Sequence, residues 1–245
     1  MNWESVALTH PGLRRNRNED THLFRPERQL FAVADGMGGH AAGDVASRIA
    51  IEVVDALFAA SPAPGTEPSD VARRLLAIAE RANSEICARA DAEPEKEGMG
   101  TTLTVLVTLD DECVIAHIGD SRVYRMRSGT LAQLTTDHTW VQKQVAVGAL
   151  TPLQARLHPY SSVLSRVLGV PDVGDADVLI TDGIEGDIFL LCSDGLTSMV
   201  EDADLEAILA QPKPLPDLAE DLVASANKRG GYDNVTVILL RRTHA

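Results

Sequence analysis

Aspartates stand beside glycines, or just before a strand-like run, at the ends of several apolar segments of this 245-residue sequence. They are Asp35-Gly36 after LFAVA, Gly119-Asp120 after VIAHI, Asp194-Gly195 after IFLLCS, and Asp233 before VTVILL. Any one of them could be ordinary turn chemistry, because Asp and Gly both favour turns. Four carboxylates that each adjoin an apolar strand instead suggest that the fold gathers strand ends into one cleft.

Such a cleft would need cations. Two carboxylates ~4 Å apart repel each other by ~4 kcal/mol at an effective dielectric constant near 20. Oxygen ligands without a Cys/His set at zinc spacing favour Mg²⁺ or Mn²⁺. One bridging aspartate with flanking ones would hold two ions ~3.5 to 4 Å apart, an arrangement that activates water against a phosphoryl centre.

The segment AVADGMGGHAAGDVAS fits this chemistry. Asp35 would bridge the ions, and Gly36, which has no side chain, would leave its carbonyl free to face one of them. Gly38 and Gly39 would let the backbone turn sharply so that His40 returns to the cleft. The alternative is a phosphate-cradling loop, but DGMGGH lacks both the Lys-Ser/Thr ending of a P-loop and the GxGxxG spacing.

The elements that position these residues can be predicted from hydrophobic patterns. Strands are predicted at 5–10, 30–35, 101–109, 113–120, 122–127, 188–194 and 235–242. The short turn sequences DDE and SG predict hairpins, and hence largely antiparallel pairing. Helical spacing predicts one helix with Ser69 as its N-cap and another that begins near Asp44. Two further helices are predicted at 200–210 and 216–228.

Paired helices and hairpin strands favour an α+β fold with antiparallel sheets over a doubly wound fold. The length and composition predict a single domain over residues 1–245. The polar segment at about 137–165, which contains Pro152 and Pro159, is predicted to form a flap near the active site.

Composition argues against several classes of protein. The formal net charge is −14 and no run of Lys or Arg exceeds two, which disfavours nucleic acid or anionic lipid as a partner. No apolar run is long enough for a membrane helix, and the first ten residues do not resemble a signal peptide. The three cysteines form no CxxC pair, so neither a disulfide framework nor a zinc ribbon is indicated. We predict a cytoplasmic protein with no nucleic acid and no membrane partner.

Eight stretches, in order along nearly the whole chain, resemble the metal-dependent protein serine/threonine phosphatases of the protein phosphatase 2C type (PPM family) in their compact bacterial form. These stretches are RRNRNEDTHLF, ADGMGGHAAGDVAS, GTTLTVLV, AHIGDSRVYR, LTTDHTWV, VLSRVLG, LLCSDGLT and DNVTVIL. The resemblance implies a four-layer αββα sandwich, in which two antiparallel sheets pack together and paired helices flank them. It also implies a dinuclear metal site at one edge of the sandwich.

The resemblance assigns the metal ligands by motif. Asp35 bridges two Mn²⁺ or Mg²⁺ ions, the Gly36 carbonyl binds one ion, and Asp194 and Asp233 bind the other. Asp120 helps Asp194 to hold a third, weaker ion.

The resemblance also assigns residues around the ions. Arg15 binds the substrate phosphate, a role that suits a planar and permanently charged guanidinium. Glu19, Asp20 and Thr102 orient metal-bound water. From the chemistry of the leaving group, we predict that His40 is the general acid that protonates the alkoxide, since an unperturbed histidine pKa near ~6.5 suits that task. The alternative for His40 is a histidine that only caps the next helix or fills the turn.

Neighbouring arginines leave the phosphate assignment open on the residues alone. Arg14 and Arg17 flank Arg15 and are by default ordinary surface arginines. The flap region also departs from the family pattern, with Thr139, Ser165 and Val167 where other residues are commoner.

The implied reaction is the hydrolysis of phosphoserine and phosphothreonine in proteins. A water or hydroxide that bridges the two ions attacks phosphorus directly, without a phosphoenzyme. A cysteine nucleophile is disfavoured, because no Arg stands six residues after Cys87, Cys113 or Cys192. The expected partners are phosphorylated proteins in bacterial signalling, namely substrates of a serine/threonine kinase and the kinase itself, and the protein is expected to be a monomer. Two alternatives stay open: a catalytically silent phosphopeptide-binding domain and a small-molecule phosphoesterase.

Overall fold

The computed structural model describes residues 2–38 and 42–243, and within them the strands form two antiparallel sheets. The strands are β1 (Asn2–His10), β2 (Asp20–Arg25), β3 (Leu30–Met37), β4 (Gly100–Thr101), β5 (Leu103–Thr108), β6 (Glu112–Ile118), β7 (Arg122–Arg127), β8 (Thr130–Gln133), β9 (Asp177–Asp182), β10 (Ile188–Cys192) and β11 (Val235–Thr243). One sheet has the order β1-β11-β10-β7-β8, and the other has the order β2-β3-β5-β6-β9, with β4 paired to the end of β3. The predicted antiparallel pairing is confirmed.

Helices connect and cover these sheets. They are α1 (Gly43–Leu57), α2 (Pro68–Ala92), α3 (Trp140–Ala146), α4 (Pro152–Arg156), α5 (Asp194–Thr197), α6 (Asp202–Leu209) and α7 (Leu215–Lys228). Short 3₁₀ turns occupy 26–28 and 94–96. No helix among the described residues is both long and apolar enough to cross a membrane.

The layers follow from the alternation of side chains along the strands. In β3, Phe31 and Val33 pack between the two sheets, whereas Ala32 and Ala34 pack against α1 and α2 on the outer face. On the other sheet, Leu190 and Leu239 face α6 and α7 in the same way. Three apolar layers therefore separate four layers of secondary structure, which confirms the αββα sandwich.

Two sequence predictions about element ends are wrong. The long outer helix begins at Pro68 after Glu67, not after an N-cap at Ser69. Proline is favoured at the first helical position because its missing N–H would have no partner there. The strand predicted at 101–109 is interrupted at Thr102, where the chain leaves the end of β3 and continues beside its middle.

The flap segment predicted at about 137–165 contains α3 and α4, which the sequence patterns did not predict. The Thr139 side chain caps α3 by accepting a hydrogen bond from the Gln142 N–H (3.1 Å). Thr151 and Gln154 form a capping box at the start of α4. Thr139 pairs with Leu164 across the base of the segment, so its two ends lie together.

The layer between the sheets offers a test of the fold. Leu191 is fully buried there, so Leu191→Ala removes apolar contacts on both sheets. We expect the free energy of unfolding in urea to fall by roughly 2–5 kcal/mol. Leu157, in the 137–165 segment, is 75% exposed and serves as the matched control. Leu157→Ala should change the free energy of unfolding by less than about 0.5 kcal/mol. Equal effects of the two substitutions would contradict this layer assignment.

Candidate metal centre

The structure brings the strand-end aspartates together where the two sheets meet. Asp20 and Asp35 are direct partners in the β2–β3 register. The Asp35 and Asp194 carboxyl groups share a hydrogen bond, although their strands belong to different sheets. Burial raises the pKa of Asp35 well above its usual range, and the nearby charges of Asp20, Asp194 and Asp120 raise it further. The predicted convergence of carboxylates is therefore present in the described residues.

Asp20 is the most enclosed member of this cluster. One of its oxygens, Oδ2, accepts hydrogen bonds from the Ser193 hydroxyl (2.7 Å) and the Thr236 hydroxyl (2.6 Å). The other, Oδ1, is buried and has no hydrogen-bond partner among the described residues. Burial raises the pKa of Asp20 to about 7, against the opposing effect of the two hydroxyls. Ser193 and Thr236 are supporting residues that sequence reasoning missed, although each lies within three residues of a predicted ligand.

Asp194 and Asp233 meet because β10 ends beside the start of β11. Asp194 is the first residue of the short α5, and burial followed by the charge of Asp233 raises its pKa. A Cβ on Gly195 would lie 1.9 Å from the Asn234 carbonyl oxygen, so only glycine allows this approach. The Asp-Gly pair thus sets α5 directly against the residue that follows Asp233.

Arg15 lies at the rim of the cluster. Its Nη2 donates to Oδ2 of Asp233 (2.7 Å), and this hydrogen bond raises the pKa of Arg15 above its already high value. The Arg15 side chain is 53% exposed, so the guanidinium also faces solvent. The predicted phosphate ligand is therefore next to a predicted metal ligand.

Asp120 extends the cluster toward the flap. It is buried, and burial followed by the charge of Asp194 raises its pKa well above the usual range. Gly119 has φ +112° and packs on Thr102, where a Cβ would lie 2.5 Å from the methyl carbon. The Gly119 N–H donates to Nδ1 of His138 (3.0 Å), and the His138 N–H donates to the Gly119 carbonyl (2.7 Å). His138 thus joins the Asp120 turn to the start of the 137–165 segment, the predicted flap.

Glu19 and Gly36 line the side of the site nearest α1. The Gly36 N–H donates to the Glu19 carbonyl (3.2 Å), and the pKa of Glu19 is raised by burial. A Cβ on Gly36 would lie 2.2 Å from the Gly43 carbonyl oxygen. Close approach of two backbones therefore requires glycine here, a reason that the sequence did not reveal.

Thr102 holds the backbone of Asp35 from both sides. Its hydroxyl accepts a hydrogen bond from the Asp35 N–H (2.9 Å), and its N–H donates to the Asp35 carbonyl (2.9 Å). Its hydroxyl also contacts the Ser121 hydroxyl (2.8 Å). The hydrogen bonds of Thr102 thus position the backbone of Asp35, a predicted metal ligand.

Three other sequence predictions concern residues in or near the centre. His40, the predicted general acid, and Gly39 lie outside the described residues. Gly38 adopts φ +144°, a conformation that favours glycine, as the predicted turn requires. Cys192 is buried and its pKa is raised to about 12, which agrees with the prediction that it is not a nucleophile.

Comparison with known proteins accounts for this arrangement. The model of the protein phosphatase 2C family matches residues 14–239. The chain belongs to the protein phosphatase 2C family. The serine/threonine phosphatase stp of Listeria innocua is 37% identical to it over 237 residues, which cover 96% of this chain and 94% of that protein.

Solved structures of the same family are equally similar. The Mycobacterium tuberculosis serine/threonine phosphatase PstP/Ppp has a TM-score of 0.91 and 38% identity, and the match covers all of both chains. The catalytic domain of PstP in complex with two manganese ions has a TM-score of 0.88 and 36% identity, over 99% of each chain. The αββα sandwich is thus shared with phosphatase structures, one of which holds a metal pair.

The residues present fit a metal pair of the protein phosphatase 2C family. Neighbouring carboxylates raise the pKa of Asp35 and of Asp194 and form an oxygen-rich, negatively charged donor set, and Asp20 adds a buried oxygen without a partner among the described residues. Across residues 2–38 and 42–243, no three His, Cys, Asp or Glu side chains form a ready-made metal-binding group. Asp35, Asp194 and Asp233, which would share one ion, therefore lie near one another without the geometry of a finished ligand group.

The raised pKa values make stability depend on pH. A carboxyl group whose pKa is raised by folding stabilises the folded protein at low pH, and this contribution is lost as the pH rises through the raised value. Asp35→Asn removes one charge from the cluster. In chelator-treated protein at pH 8 we expect it to raise Tm by roughly 2–4 °C, the shift that ~1 kcal/mol gives in a domain of this size. At pH 4.5 the difference should nearly vanish.

Asp55 provides a control for which the opposite effect on Tm is expected. Asp55 lies between Arg25 and Arg28, and its hydrogen bond to Arg25 lowers its pKa. Asp55→Asn should therefore lower Tm at pH 8. If Asp35→Asn also lowered Tm at pH 8 in thermal scans, burial and repulsion from neighbouring carboxylates would not be the dominant effects on Asp35.

Proposed function

We propose that this chain hydrolyses phosphoserine and phosphothreonine in proteins in a metal-dependent reaction. The supporting observation is the convergence of Asp20, Asp35, Asp120, Asp194 and Asp233 beside one exposed arginine. A carboxylate cluster with a cation at its rim suits metal ions on one side of a phosphoryl group and a guanidinium on the other. Membership of the protein phosphatase 2C family supports the same activity.

Five oxygen donors would hold the ions. Asp35 would bridge two Mn²⁺ or Mg²⁺ ions, with the Gly36 carbonyl on one side and Asp194 and Asp233 on the other. Asp120 and Asp194 would take a third, weaker ion. When bound, such ions supply Lewis-acid charge and a water of lowered pKa for attack on phosphorus.

The other residues act on the substrate and on protons. Arg15 would bind two phosphate oxygens through its planar guanidinium. Glu19 and Asp20 would orient the attacking water, and the partnerless Oδ1 of Asp20 is the atom suited to accept its hydrogen bond. Thr102 would hold Asp35 in place. As the bond between phosphorus and the serine or threonine oxygen breaks, His40 would give that oxygen a proton.

The biological setting is also a proposal. We propose that residues 1–245 work as one monomeric catalytic domain in the cytoplasm and oppose a serine/threonine kinase, acting on its substrates and on the kinase itself. The segment at about 137–165 would be a flap over substrate, since His138 ties it to the Asp120 turn. The names of two relatives, a serine/threonine phosphatase and a protein phosphatase, support phosphoprotein substrates.

Phosphate release from a phosphothreonine peptide in the presence of Mn²⁺ tests this function. We expect Asp194→Asn to reduce kcat/KM by more than the ~10- to 100-fold that loss of an outer-shell metal partner costs. The Asp55→Asn protein, whose altered carboxylate is remote from the cluster, should stay active. Folded wild-type protein that cleaves neither the peptide nor p-nitrophenyl phosphate would instead favour a phosphopeptide-binding role, and turnover of free nucleotides alone would favour a small-molecule phosphoesterase.

Arg15→Ala should chiefly weaken substrate binding. A charge-assisted hydrogen bond contributes about 1.5–3 kcal/mol, so we expect KM for a phosphopeptide to rise roughly 10- to 100-fold, with a smaller change in kcat. Because Arg15 also contacts Asp233, calorimetric titration with Mn²⁺ must show that the variant still binds metal. An unchanged KM would exclude Arg15 as the phosphate ligand and point to Arg17.

A further inference from the structure

Two exposed arginines at the rim of the metal centre have no role in the function described so far. Arg14 and Arg17 are exposed and lie in the same β1–β2 loop as Arg15. Most of the chain's 22 Lys and Arg side chains form an ion pair. Neither Arg14 nor Arg17 has a carboxylate within ion-pair distance in the described part of the chain. Both side chains therefore present their charge to solvent in the loop that carries Arg15.

The loop that carries these arginines is held rigidly. The Asn234 side chain donates to the carbonyls of Pro11 (3.0 Å) and Arg17 (2.8 Å) and accepts from the Glu19 N–H (2.8 Å). The Leu13 N–H donates to the Gly231 carbonyl (2.8 Å). These hydrogen bonds fix the backbone on both sides of Arg14 and at Arg17 itself. They do not involve the side chains of the two arginines.

An exposed aromatic ring restrains Arg14. The Arg14 guanidinium lies over the ring of Tyr232, 5.7 Å from its centroid, and Tyr232 is itself 58% exposed. A cation–π contact of this kind leaves the guanidinium edge available for hydrogen bonds to an anion. A partly ordered arginine loses less conformational entropy when it binds a ligand.

We propose that Arg14 and Arg17 form a second anionic subsite, which selects substrates with a negative group near the phosphorylated residue. This inference rests on the proposed function, since it places the scissile phosphate on Arg15. The group recognised is an acidic side chain or a second phosphate of the same peptide. An extended peptide spans ~3.3 Å per residue, so neighbouring arginines would reach a group within about three residues of the scissile phosphate.

Peptides that differ only around one phosphothreonine test the subsite. One has neutral flanks, a second series carries Glu at single positions from −3 to +3, and a third carries a second phosphothreonine there. We expect the best charged peptide to exceed the neutral one in kcat/KM by roughly 3- to 10-fold, the range of two exposed ion pairs. The advantage should shrink as ionic strength rises. The Glu and second-phosphate series show which source of negative charge is preferred.

Variants assign that preference to residues. The double variant Arg14→Gln/Arg17→Gln should bring the ratio of charged to neutral peptide close to 1. Arg73→Gln removes the same charge from α2, where Arg73 pairs only with Asp70, and should keep the wild-type ratio. A ratio near 1 in the wild-type protein, or a ratio that the double variant leaves unchanged, would overturn the proposal.

Binding is measured separately from catalysis, so that failure of the proposed function can be recognised. Fluorescence anisotropy with the same peptides carrying a non-hydrolysable phosphonate gives the charged-to-neutral ratio of Kd whether or not the protein turns over substrate. Selective binding that the double variant abolishes would support the subsite even without hydrolysis. Hydrolysis of every peptide at one rate, with equal Kd values, would overturn the subsite and leave the phosphatase function intact.

Discussion

The removal from water of carboxylates that also repel one another is the constraint on which the rest of this structure depends. Asp20, Asp35, Asp120 and Asp194 each have a pKa raised first by burial and then by the charge of another member. Folding alone would not assemble such a group, because each additional negative charge costs free energy in a low-dielectric setting. The cluster is tolerable because apolar layers on both sides of each sheet stabilise the strands whose ends carry it.

The chain supports these carboxylates mainly with neutral groups. Hydroxyls of Ser193 and Thr236 bind Asp20, and Thr102 holds the backbone of Asp35. Two cations lie nearby and oppose the repulsion only in part: Arg15 binds Asp233 at the rim, and Arg122 is engaged by both oxygens of Asp137 (2.9 and 2.7 Å). Neutral donors fix the position of a carboxylate without cancelling its charge. The negative charge therefore stays available to bound cations, which is what a metal-dependent hydrolase requires.

Sequence patterns predicted the parts of this molecule that depend on strong local signals. Apolar segments that end in Asp-Gly or Gly-Asp predicted strands and three of the candidate ligands, because the same residues stop the strand and carry the carboxylate, whereas the four-layer order came from the family resemblance. Strands β2, β8 and β9 were missed, since β8 and β9 contain no buried residue and β2 contains only two, Asp20 and Leu23. Supporting contacts such as Ser193 to Asp20 join residues 173 positions apart, and no local pattern encodes them.

The glycines beside Asp35, Asp120 and Asp194 show how the convergence is built. Sequence analysis predicted that Gly36, without a side chain, leaves its carbonyl free to face an ion. The structure adds a second reason for glycine at this position, because the backbone carbonyls of Gly43 and Glu19 lie where a Cβ would stand. Gly195 makes the same kind of approach to Asn234, next to Asp233, and Gly119 makes one to Thr102, which holds Asp35. Each glycine thus allows close contact between two segments that carry or adjoin residues of the site. Because short aspartate side chains cannot span large gaps, the carboxylates meet only if the backbones meet first, and glycine is the residue that allows it.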